Sequence, residues 1–244
     1  MIPIRDRNPS PITPWVVYGL IAINVLIFFG EWQLNDPQLR RFIGQYGLIP
    51  AKVTLALEGE ANILTALIIP AFSSMFLHGG VVHLLSNMWF LYIFGDNVEA
   101  KLRRVPFLLF YLVCGLIAHV TQYVLAPEST IPTVGASGAI AGVLGAYIVT
   151  WPRARVVTLV PLFYLFTFMS LPAVFVLGFW FVLQLFQGAA SIGAEVTSGG
   201  VAYGAHVGGF VAGAILIKLL PSRKVERRQP SSQQDRYGGN RRRW

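Results

Sequence analysis

The sequence predicts an all-α polytopic membrane protein, with six transmembrane helices and a large, partly interfacial first outside loop. Three observations carry that reading. Of 244 residues, 55% are hydrophobic and only 12% are charged, about half the charged share of a soluble domain. Mean hydropathy is +0.59, and several apolar runs are long enough for a hydrocarbon core of roughly 30 Å. The net charge of +8 is concentrated at one end, where residues 221–244 hold eight Lys/Arg against two acids. These numbers exclude an ordinary soluble enzyme and a disordered chain. A basic tail on an apolar body marks a cytoplasmic end, not a nucleic-acid binder. The single cysteine, Cys114, allows neither a disulfide scaffold nor a cysteine zinc cluster, and it packs as a small hydrophobe.

The first span is read over Pro14–Leu34, with Pro14 near the start, where a missing N–H costs nothing. It begins too late, and lacks the small-residue cleavage pattern, for a removable signal peptide. The remaining spans are Val81–Phe94, Val105–Leu125, Ser137–Trp151, Leu171–Gly188 and Val201–Leu220. With the N-terminus in the cytoplasm, alternation places every Lys and Arg inside except Arg40, Arg41 and Lys52. The outside loops 126–136 and 189–200 hold none. This satisfies the positive-inside rule. The chain then divides into a cytoplasmic segment 1–13, a membrane domain 14–220 and a basic tail 221–244 whose composition predicts disorder. The tail orients the protein, and its charge suits anionic lipid.

Two more apolar stretches, 61–73 and 156–169, are not counted, because adding either alone would put the basic tail outside. The first contains Pro70, and the second begins Val156-Val157-Thr158-Leu159-Val160-Pro161, β-branched and broken by proline. Both are read as interfacial or re-entrant, tolerable only where protein or water satisfies the backbone.

Spans two, four and six are short, and they carry the unusual residues. Polar groups inside a membrane are expensive and therefore mark function by default. His83 and Asn87 are four apart, so they share one helix face and donate toward one point. Two convergent neutral donors suit an oxyanion, and they equally suit interhelical hydrogen bonding. Ser137 opens the fourth span after Gly135-Ala136, at a helix N-terminus that favours a developing anion. Ala141 and Gly145 follow on its face as a smooth seam. Alone, that pattern reads as close packing. In the sixth span, Gly209 and Gly213 form a small-residue seam beside His206. Contact between the two seams brings His206 within reach of Ser137, as a serine nucleophile requires of its base.

His78, His83 and Asn87, then Gly135, Ser137 and Gly138, then Ala205, His206, Gly209 and Gly213 form an ordered set over the second, fourth and sixth spans. The set resembles the rhomboid family of intramembrane serine proteases, over about residues 10–220. Gly95, Asp96 and Glu99 before Lys101–Arg104, and Pro152–Arg155 after the fourth span, look like the same family. The resemblance implies a six-helix rhomboid-like bundle and a Ser137–His206 dyad. His83, Asn87 and the Ser137 backbone N–H would hold the oxyanion, and His78, Gly135, Gly138, Gly209 and Gly213 would support the site. His78 would do so through hydrogen bonds. It implies no metal and no cofactor, transmembrane proteins as substrates, and a multi-pass protein of the cell's inner membrane with its site toward the outer face. Without a carboxylate third member, His206 relies on its own basicity and packing. Some members place an aromatic residue four positions after the nucleophile, where this chain has Ala141.

A catalytically inactive relative that binds membrane helices is the main alternative, although loss of the serine or histidine would mark it and both are present. A histidine-based transporter would want acids within its spans, and the zinc-protease His-Glu-x-x-His motif is absent. His119, in the third span, is read as a polar packing residue.

Overall fold

The computed structural model describes residues 1–162, 165–191 and 202–221. The tail beyond Pro221, most of the loop 189–200 and Val201 at the start of the sixth predicted span lie outside them. Strand β1 covers Ile2–Asp6. Helices α1 (Trp15–Trp32), α2 (Asp36–Tyr46) and α3 (Pro50–Leu57) follow. A π-helical turn at Leu64–Ile68 then runs into α4 (Ile69–Ser73) and a 3₁₀ turn at Ser74–Phe76. Next come α5 (Val81–Leu102), α6 (Arg104–Leu125) and α7 (Ser137–Thr150). Strands β2 (Arg155–Leu162) and β3 (Leu165–Pro172) precede α8 (Ala173–Ser191) and α9 (Tyr203–Leu219).

Among the described residues, α1, α6 and Ala173–Ala190 of α8 are long and apolar enough to cross a membrane. The pair Leu64–Phe76 and Val81–Leu102, bent by 78°, passes the same test only jointly, as a broken crossing or as a re-entrant segment leading into α5. Helices α7 and α9 have only 14 and 17 residues, which is about 21 and 25 Å at 1.5 Å per residue. The shortness of α7 follows from its surroundings. It packs on α5, α6, α8 and α9, and every residue from Gly138 to Tyr147 is buried. A helix apolar all round and covered by protein need not match the bilayer.

The second predicted span stops too early at Phe94, because α5 continues to Leu102. Its polar end finds partners inside the protein. The Glu99 carboxylate accepts from the Val16 and Val17 N–H groups at 3.2 and 2.9 Å. Those N–H groups open α1, whose N-cap Pro14 offers no side-chain acceptor. A carboxylate at a helix N-terminus satisfies orphan donors and complements the dipole. Similarly, Gln122 of α6 accepts from the Ala205 N–H in the first turn of α9 at 3.3 Å.

The all-α expectation is corrected by a three-stranded antiparallel sheet in the order β1-β2-β3. Strand β2 pairs with β3 from Arg155↔Pro172 to Leu162↔Leu165. Strand β1 pairs with β2 from Ile2↔Leu159 to Asp6↔Val156, with a register shift between Pro3 and Arg5. The β-branched run Val156–Val160 favours strand over helix, and pairing satisfies the backbone that helix would otherwise have satisfied. The sheet sits where α7 ends and α1 and α8 begin, at the opposite end of α7 from Ser137.

Candidate active site

Ser137 is the first residue of α7, and the loop before it is tied down on two sides. Leu48 and Thr133 exchange backbone hydrogen bonds of 3.2 and 2.8 Å, and the Gly135 N–H donates to the Ser74 carbonyl at 2.8 Å. Gly135 has φ +116°, which L side chains rarely adopt. It also stands where there is no room. A Cβ there would lie 2.7 Å from His83 Nε2 and 3.5 Å from Asn87 Nδ2. The glycine thus lets the backbone beside the serine approach both side chains.

His83 and Asn87 come from the first two turns of α5, and His206 comes from the first turn of α9. The His206 Nε2 lies 2.7 Å from Ser137 Oγ, a hydrogen bond. Ser137, His206, His83 and Asn87 all line one cavity of about 800 Å³. Asn87 is buried, and its Nδ2 has no hydrogen-bond partner among the described residues. An orphan donor is costly unless an incoming acceptor uses it. The cavity therefore holds a hydroxyl bonded to an imidazole and an unused amide donor within reach of the same loop.

The small-residue seam forms. Gly145, expected on it, meets Phe210 of α9, and Gly138 and Gly142 join it against Gly209 and Gly213. A Cβ at Gly209 would overlap the Gly138 carbonyl, and one at Gly213 would overlap the Gly142 carbonyl. This backbone-to-backbone approach is what carries His206 to Ser137.

His78 lies behind the cavity. Its ring packs edge-on against His83, with centroids 5.2 Å apart and planes at 67°. Its backbone N–H donates to the Glu31 carboxylate at 3.3 and 3.2 Å, so the buried Glu31 anchors the segment leading into α5. His119 Nε2 lies 3.3 Å from Ser74 Oγ, which couples α6 to the residue that holds Gly135.

Two residues of α8 were not among those expected. Gln184 Oε1 lies 2.6 Å from His206 Nδ1. The Trp180 ring lies 5.8 Å from the imidazole, inclined by 37°. Together they contact both the edge and the face of the imidazole, so the ring is held from α8. The signal was present, since Gln184 is an amide inside the fifth apolar segment and meets the same criterion that singled out His83 and Asn87.

Comparison with known proteins bears on the whole arrangement. A rhomboid-domain family model matches residues 67–223, which contain every polar side chain lining the cavity. The chain is 29% identical over 218 residues to rhomboid protein 1, mitochondrial, of Saccharomyces cerevisiae, covering 88% of this chain and 55% of that protein. It is 31% identical over 150 residues to the human presenilin-associated rhomboid-like protein, mitochondrial, covering 60% of this chain and 36% of that one. It is 28% identical over 152 residues to RHOMBOID-like protein 1 of Arabidopsis thaliana, covering 54% and 39%. The chain thus spans about half of the yeast protein and little more than a third of the other two. Since the family model covers well over half of the present sequence, the chain belongs to the rhomboid family.

Proposed function

We propose that this chain is an intramembrane serine protease that hydrolyses peptide bonds in or near transmembrane segments of other membrane proteins. The observation that carries this reading is the 2.7 Å contact between Ser137 Oγ and His206 Nε2 in a cavity that also holds His83 and Asn87. Ser137 Oγ attacks the scissile carbonyl carbon while its proton passes to His206 Nε2. The carbonyl oxygen becomes an oxyanion, which accepts from the His83 ring, the Asn87 amide and the Ser137 N–H at the start of α7. His206 then delivers the proton to the leaving amine, and water hydrolyses the acyl-serine by the same steps. The side chains and backbone supply nucleophile, base and oxyanion donors, so the reaction uses no metal or cofactor. An inactive helix-binding relative has no need of a serine hydroxyl bonded to an imidazole, so the contact favours the protease.

Within this reading, residues 14–220 form the protease domain and cross six times, with α7 and α9 as the short fourth and sixth spans. Both termini are cytoplasmic, as the distribution of Lys and Arg supports. Helices α5, α7 and α9 then present their N-terminal ends, and with them the cavity, toward the outer face of the inner membrane. Water reaches the serine from that side without crossing the bilayer. Substrates are membrane segments whose helices open locally, because a protease cleaves extended backbone. The basic tail orients the chain and adds attraction to anionic lipid of about 1 kcal/mol per basic residue near the surface.

The test is cleavage of a labile model transmembrane substrate by the full chain in detergent. Ser137→Ala and His206→Ala each lower kcat by roughly 10³-fold or more, as loss of a nucleophile or its base does. Cleavage by Ser137→Ala at the wild-type rate would remove Ser137 as the nucleophile.

A further inference from the structure

We infer that Gln184 is a positioning residue that completes a Ser137–His206–Gln184 relay, a role that rests on the dyad reading above. The two nitrogens of the His206 ring meet different partners. His206 Nε2 faces Ser137 Oγ at 2.7 Å, and His206 Nδ1 faces Gln184 Oε1 at 2.6 Å. An amide oxygen is only an acceptor, so Nδ1 must carry the proton. Nε2 is then left with its lone pair toward the serine hydroxyl. This is the one neutral tautomer able to act as base toward Ser137.

The surroundings leave this task to Gln184. Among the described residues lining the cavity none is Asp, Glu, Lys or Arg, and the titratable ones are His83, His119 and His206. No carboxylate on α5, α6, α7 or α9 lines the cavity to orient the ring. Gln184 and His206 are both 8% exposed, so their hydrogen bond is shielded from competing water. Trp180 lies one turn before Gln184 on the same face of α8, and its ring stands against the imidazole at 5.8 Å. The tryptophan limits ring rotation, and the glutamine selects the tautomer. When Ser137 gives its proton to Nε2, the imidazolium keeps its Nδ1–H bonded to the amide oxygen, and no proton moves to Gln184. When Nε2–H passes to the leaving amine, the starting tautomer returns. A neutral third member orients the base without a buried carboxylate, whose desolvation would be costly at this site. Neutral amides fill the same position in Cys-His-Asn proteases.

The experiment uses the full chain in detergent with a fluorogenic transmembrane substrate. It compares wild type, Ser137→Ala, Gln184→Leu and Gln184→Glu. Gln184→Leu keeps the approximate volume and removes the acceptor. It lowers kcat about 10- to 100-fold with KM close to wild type, and it lowers the unfolding midpoint modestly because the buried His206 Nδ1–H loses its acceptor. Gln184→Glu restores the acceptor and adds charge, so activity persists. The acidic limb of its kcat/KM profile moves to higher pH by about one unit, because a carboxylate beside the ring favours the imidazolium. If Gln184→Leu fails to fold, the limb of Gln184→Glu decides. An inactive Ser137→Ala alongside Gln184 variants with wild-type kcat and an unmoved acidic limb overturns the relay and leaves the dyad standing. Retained cleavage by Ser137→Ala overturns the dyad and the relay together.

Discussion

At the scale of single residues, the site joins groups that are each a poor fit to a membrane interior. Asn87 shows the logic most directly, because its amide nitrogen is buried without a partner among the described residues. A group left unsatisfied at rest and satisfied at the transition state stabilises only the latter, which is what raises kcat. Asn87→Ala therefore lowers the single-turnover rate by about 10- to 100-fold, less than loss of the serine, since His83 and the Ser137 N–H remain as donors. The same change leaves thermal stability equal to wild type or slightly higher, since it deletes an unpaired buried donor. An unchanged single-turnover rate with lowered stability would identify Asn87 as a packing residue. Ser137, His83, Asn87 and His206 were legible in the sequence because polar side chains stand out in apolar helices. Gln184 carries the same signal but was not among the expected residues, because which ring nitrogen it meets depends on how α8 packs against α9.

At the scale of elements, the contact between α7 and α9 determines whether the site exists. Both helices are glycine-rich on the facing sides, and their backbones touch where other helices interpose side chains. The seam was legible on α9 as Gly209 and Gly213. On α7 it was legible at Gly145, while the further close approaches fall at Gly138 and Gly142, because crossing geometry selects the ridge and periodicity alone does not. Two glycine-to-alanine changes separate packing from helix propensity. At Gly178 in α8 an added Cβ meets nothing within 4 Å, so Gly178→Ala is neutral or stabilises by up to about 1 kcal/mol. At Gly213 the Cβ overlaps the Gly142 carbonyl, so Gly213→Ala destabilises by about 1–3 kcal/mol despite better propensity. It also lowers activity, because the helix bearing His206 is pushed away from Ser137. Thermal unfolding in detergent reads both, and equal midpoints for the two variants would show that the seam is loosely packed.

At the scale of the whole molecule, the two ends of the bundle are built differently. The end bearing Ser137 keeps a cavity, while the opposite end is closed by the sheet and a polar cluster. There the Trp89 indole donates to the Pro3 carbonyl at 2.7 Å. The Tyr147 hydroxyl and the Asn97 amide donate to Asp6 Oδ2 at 2.6 and 3.1 Å, and Asn8 donates to Asn97 at 2.8 Å. The N-terminal segment is thus fastened to α5 and α7. None of this was legible locally, because Ile2–Asp6 becomes a strand only by pairing with residues of β2, far away in the chain. The cluster makes this fastening depend on pH. Burial pushes the Asp6 carboxyl up from 3.8 to about 6, against the opposing effect of the Tyr147 hydrogen bond. Between those values the folded protein holds a proton that the unfolded chain has released, so stability falls as pH rises through that window. Below about pH 4 both states are protonated and the contribution is complete, and above about pH 6 it is lost. Asp6→Asn imitates the protonated acid at every pH. Its unfolding midpoint should match wild type near pH 4 and exceed it above pH 6, with a flatter slope between. A variant whose midpoint follows the wild-type slope throughout would place the titrating group elsewhere.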